Sequence, residues 1–147
     1  MENSFKSIRL INASPKAVWQ ALTDSNIVKQ YMFGAIIESN WEIGSSITFY
    51  IEKDGKRMDA VYGIIEKLEP TSIFRHTLYP PNAAYPNTPE NHIYVEYTLK
   101  ENKCKTELTI EQGGFKTVAE GEKRYASAKE GWKLVLPELV KLAEAIP

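Results

Sequence analysis

Residues able to carry chemistry are sparse in this sequence. It holds two histidines, His76 and His92, and one cysteine, Cys104. A metal site needs His, Cys or carboxylate ligands clustered at short spacings. These three are widely separated, and no second cysteine completes a ligand pair, so neither a metal nor a cofactor is expected. Nucleophilic catalysis needs a nucleophile, a base beside it and a third group to orient that base. Cys104 follows Asn102-Lys103 just past an expected turn and reads as a structural strand residue. His76, on a strand able to line an interior space, is the better candidate for a general base. Its alternative reading is a hydrogen-bonded polar residue in or beside the sheet. Arg75 must point to the opposite face of the same strand. Facing inward, it would be a buried cation in need of a partner and could meet an anionic ligand group. Facing outward, it would simply be solvated. Gly113-Gly114 precedes Phe115 without the surrounding pattern of a phosphate loop. Those glycines relax the chain as it leaves the last strand. No catalytic group is assigned.

The elements that must position these side chains follow from periodicity. Phe5 to Ile11 alternates as a strand and stops at Asn12-Ala13-Ser14-Pro15. Ser14 suits a helix N-cap and Pro15 the first helical position, where a missing N–H costs nothing. Val18, Trp19 and Leu22 then recur at helical spacing, and Asp24 can cap a second short helix with Ile27, Val28 and Tyr31 inward. From Ala35 to Gln112 the period is two. Trp41-Glu42-Ile43-Gly44 reads as a turn, and Asp54-Gly55 marks a tight hairpin pairing Ile47–Glu52 with Met58–Leu68. Ser72–Tyr79 follows as a strand. His92–Lys100 and Lys103–Gln112 read as a second hairpin turning at Glu101-Asn102. Half of the chain's eight prolines fall in Pro80–Pro89, which excludes helix or central strand and predicts an ordered or semi-rigid surface loop. In the C-terminal segment, about 120–145, Tyr125, Ala128, Trp132, Leu136, Leu139 and Ala143 form one apolar helical stripe. Pro137 predicts a kink or restart. That stripe must be buried, and an antiparallel sheet is the surface on offer.

Composition sets the outer bounds. A chain of 147 residues, 43% hydrophobic and 25% charged, matches one globular domain that needs no disulfide or metal to fold. A formal net charge of -1 offers no global attraction to nucleic acid or to an anionic membrane. The first residues lack the apolar stretch of a signal peptide, and no apolar run approaches the roughly 18 residues of a membrane span. A lone cysteine fits a reducing compartment. A cytoplasmic protein is expected.

Five motifs in order carry a family resemblance: Ile11 to Asp24, Trp41-Glu42-Ile43-Gly44, Gly63-Ile64-Ile65-Glu66 with Glu69-Pro70, Gly113-Gly114-Phe115, and Gly131-Trp132 followed by Leu136 and Leu139. Over nearly the whole chain the sequence resembles the SRPBCC (START-like, helix-grip) proteins, in the branch named for the activator of the heat-shock protein 90 ATPase. Tyr31 stands where that branch often has tryptophan, and the Pro80–Pro89 loop is longer than usual. The resemblance implies an α+β helix-grip fold. A curved seven-stranded antiparallel sheet carries two short helices after its first strand, and the long C-terminal helix packs across its concave face. It also implies a cavity between sheet and helix that binds a small apolar molecule, since tyrosines there offer apolar walls with polar tips. The candidates to line it are Tyr50, Tyr62, Arg75, His76, Tyr97, Trp132 and Leu136, with core packing as the alternative for the aromatics. Gly63 and Gly131 are placed where close backbone approach is expected. Two other activities are compatible with the resemblance. One is an enzyme of the cyclase or hydrolase-like kind using the same cavity. The other is a chaperone contact, although the eukaryotic activators use a separate N-terminal domain for which 147 residues leave no room.

Overall fold

The structure is a computed structural model, and it describes residues 2–147. Strand β1 (Ser4–Ile11) leads into helices α1 (Pro15–Thr23) and α2 (Ser25–Tyr31). The Ser14 hydroxyl accepts from the Ala17 N–H at 3.2 Å, with Pro15 at the helix start. Asp24 ends α1 and caps α2, its carboxylate accepting from the Asn26 N–H at 2.8 Å. The Tyr31 hydroxyl donates to the Ala21 carbonyl at 2.8 Å and locks the two helices into a V. Strands β2 (Ile36–Ser39), β3 (Ser46–Lys53), β4 (Lys56–Glu69), β5 (Ile73–Leu78), β6 (Ile93–Asn102) and β7 (Lys105–Gly113) follow. Helix α3 (Gly121–Glu144) comes last. All neighbours in the sheet are antiparallel, in the order β1-β7-β6-β5-β4-β3-β2.

Register is set by burial. Val95, Tyr97 and Leu99 on β6 stand opposite Gln112, Ile110 and Leu108 on β7, all facing inward. That pairing moves the second hairpin turn from the expected Glu101-Asn102 to Lys103-Cys104, both with positive φ (50° and 68°). A turn two residues earlier would set Leu99 against Cys104 and forfeit the Leu99–Leu108 pair, so core matching overrides the local preference of asparagine for turns. Cys104 is consequently an exposed turn residue and not a strand residue. The Asp54-Gly55 hairpin forms as expected, with φ of 54° and 76°.

Irregularities in the register at Phe49/Tyr50 and at Ile65/Lys67 allow the sheet to curve around α3. At Gly63 a Cβ would collide with the Thr77 carbonyl of β5, so the expected close backbone approach occurs there. Nothing lies near a Cβ at Gly131, where that expectation fails because the position is on the open side of α3. Helix α3 runs through Pro137 without a restart, since the proline is exposed and only the Lys133 carbonyl loses its partner. Val135, Leu136, Leu139 and Ala143 are buried against the concave face together with Val18, Ala21 and Val28 of the short helices. Tyr125, Ala128 and Trp132, in the N-terminal half of α3, are only partly buried. There the helix meets the sheet through large side chains, Tyr125 against Phe5 and Trp132 against Tyr97.

Candidate functional site: the space beneath Trp132

Aromatic side chains tile the concave face under this half of α3. Phe74 stacks on Tyr97 with ring centroids 5.7 Å apart and lies 5.2 Å from the His76 ring. Phe49 flanks His76 at 5.6 Å, and Trp132 meets Tyr97 edge-on at 6.1 Å. The Trp132 indole N–H donates to the Gln112 side-chain carbonyl at 2.6 Å, which fixes the indole over the sheet. Between these rings and the α2–β2 connection lies an apolar cavity of about 260 Å³. Its walls include Phe49, Val61, His76, Val95, Tyr97 and Trp132, and its mouth is at Met32 and Phe33. Phe33 is 67% exposed and has φ of 55°. A smaller space of about 160 Å³ adjoins the cavity past Trp132 and Gln112.

None of the side chains lining the cavity is charged. His76 is buried, and its Nδ1 lies 2.8 Å from the Thr77 carbonyl oxygen. Burial drives its pKa down to about 4, against smaller opposing effects of the Thr77 carbonyl and Glu66. It is therefore a neutral imidazole at physiological pH. Burial likewise pushes the Tyr97 phenol well above its ordinary value. Tyr31, just outside the cavity, is raised by burial and then by its proximity to Tyr97.

Of the seven candidate residues, His76, Tyr97 and Trp132 line this space and Leu136 packs in the core beside it. Tyr50, Tyr62 and Arg75 do not. All three project from the opposite face of the sheet, because each follows or precedes an inward residue on its strand. Arg57 lies over the Tyr50 ring at 4.0 Å. Arg75 bridges Glu66 (3.0 Å) and Glu96 (3.3 Å) and covers Tyr94 at 3.8 Å. Tyr62 and Arg75 border a larger groove of about 520 Å³ on that outer face. It is wide and mixes polar with apolar side chains, and its arginine is already paired with Glu66 and Glu96, so it encloses an apolar molecule less well than the smaller cavity. His92, at the same groove, joins Thr77 (2.7 Å) to Asn87 (2.6 Å) and pins the proline-rich loop. Tyr85 of that loop packs edge-on against Tyr79, which immediately precedes the loop. Sequence reasoning missed Phe49, Val61, Met32, Phe33 and Gln112. Gln112 had one available signal: it is polar at an inward position of an alternating strand. Among the described residues no three His, Cys, Asp or Glu side chains converge to hold a metal ion. No helix among the described residues is long and apolar enough to cross a membrane.

A curved antiparallel sheet gripping a C-terminal helix over an apolar cavity defines the SRPBCC class of protein. Within it, this chain belongs to the family described as Activator of Hsp90 ATPase homolog 1-like protein, whose sequence model matches residues 12–144. A protein from Cytophaga hutchinsonii with a known solution structure is 32% identical, with a TM-score of 0.75 over 98% of this chain and 97% of the other. An HSP90 activator from Plasmodium falciparum shares the fold at 13% identity, with a TM-score of 0.70 over 94% of each chain. CalU16 from Micromonospora echinospora shares it at 19% identity, with a TM-score of 0.69 over 97% of this chain and 76% of the other. No curated protein matches the sequence.

Proposed function

We propose that this protein binds a small hydrophobic molecule in the cavity between the sheet and the N-terminal half of α3. The observation that carries this reading is an uncharged, aromatic-lined space of about 260 Å³ within an otherwise closely packed core. The space reaches the surface at Phe33, so a molecule can enter it from solvent, and its walls suit an apolar occupant. An apolar cavity of roughly 150 Å³ accommodates benzene, so this one suits a molecule of one or two rings. Native mass spectrometry of protein purified without denaturant, set against its denatured mass, tests the reading. A stoichiometric extra mass lost on denaturation is expected. The reading fails if the two masses agree and no one- or two-ring apolar compound raises the melting temperature.

Catalysis in the same cavity is a second reading, favoured by His76 as a neutral imidazole with a ring nitrogen available to take a proton. It predicts that the bound molecule, incubated with fresh protein, is recovered chemically altered. Recovery unchanged would leave the binding reading alone.

A further inference from the structure

Two polar atoms in the cavity wall have no partner within the protein. The His76 Nδ1 faces a backbone carbonyl, which can only accept, so Nδ1 must carry the ring proton. In the neutral ring Nε2 is then a bare lone pair. No side chain or backbone group among the described residues donates to it, although His76 is only 2% exposed. Among the described residues no buried side-chain nitrogen or oxygen is sealed off without a partner, so this nitrogen is open to solvent, and the cavity is a space that His76 lines. The Tyr97 hydroxyl, on a residue 5% exposed, is in the same position. Water that reaches these atoms meets them in the free protein, so a ligand that displaces it binds well only if it replaces the lost hydrogen bond. The surrounding rings and aliphatic groups supply no charge to balance an ionised ligand.

We propose that the cavity selects an uncharged molecule with an apolar body and one O–H or N–H group, which donates to His76 Nε2. Tyr97 offers a second contact to the same polar end. A carboxylate is rejected, because it would face a lone pair in a site that holds no cation. An ammonium is rejected because no carboxylate lines the space. This selection rests on the binding reading above and adds to it the chemical class of the ligand.

Three probes of one shape test it by calorimetry: 2-naphthol, its methyl isostere 2-methylnaphthalene, and 2-naphthoate. The naphthol should bind about tenfold more tightly than the methyl compound, the worth of one good buried hydrogen bond, and the naphthoate should not bind. In His76→Phe the naphthol advantage should disappear while the methyl compound still binds. Equal affinity of naphthol and methylnaphthalene in the native protein overturns the selection and leaves the binding reading standing. Failure of all three to bind overturns the selection, and together with equal native and denatured masses it overturns the binding reading as well. Nitrogen-15 NMR of the free protein is independent of any ligand or variant. It should find the His76 proton on Nδ1, and a proton on Nε2 would overturn the selection outright.

Discussion

His76 shows how little a residue's identity says before its surroundings are known. As one of two histidines in the chain it could have been a base, a metal ligand or a hydrogen-bonded polar residue in or beside the sheet. Its neighbours Phe49 and Phe74 shield the ring from most water, and the Thr77 carbonyl chooses its tautomer. The lowered pKa has a consequence for stability. Between pH 6.5 and about 4 the unfolded chain binds a proton at His76 that the folded protein does not. Stability therefore falls as the pH drops through that window, by about 3 kcal/mol at most. His92 shifts in the same direction through partial burial and then Arg124, and adds to the slope. Urea denaturation across pH 4 to 7 should show a shallower pH dependence in His76→Phe than in the native protein. An unchanged slope would mean that His76 is hydrated in the folded state.

Two connections show what governs the elements. At β4, Gly63 lets the strand pass against the Thr77 carbonyl where the ladder to β5 is irregular. Gly63→Ala should cost about 3 kcal/mol, read as a lowered denaturation midpoint, because a backbone oxygen cannot rotate away. The β6–β7 turn has the opposite character. Lys103 and Cys104 occupy left-handed backbone that neither favours, at a cost of about 1 kcal/mol each. Replacing them together by Asn-Gly should raise the melting temperature by about 3 °C or more, since that dipeptide suits two successive positive φ values. No change would indicate that the turn relaxes to another geometry in solution.

At the scale of the molecule, the C-terminal half of α3 completes the core and the N-terminal half leaves the cavity. This division separates stability from binding. Val61 lies on the cavity wall and is only partly buried. Val61→Phe should occupy the space, abolish any co-purifying mass and leave the melting temperature unchanged or slightly raised, because added apolar contacts replace a void. A drop of several degrees would show that the space is too tightly built to accept a ring.

The sequence by itself determined the elements and their order. Capping by Ser14 and Asp24, the Asp54-Gly55 turn, the period of two in the strands and the apolar stripe of α3 are local or periodic signals, and each appears where its residues stand. Opposite faces for Arg75 and His76 also followed from the period alone, but the choice of inner face did not. Only the tertiary structure decided it, because pleating alternates side chains without saying which side a helix will cover. For the same reason Tyr50 and Tyr62 were legible as strand tyrosines and not as outer-face residues. The turn at Lys103-Cys104 depended on Leu99 meeting Leu108, a pairing between strands that no local propensity encodes. The cavity depended on the gap between Trp132 and the sheet, held by a hydrogen bond to Gln112 twenty residues earlier in the chain. Volume left between elements is a property of their packing, and spacing along one chain cannot express it.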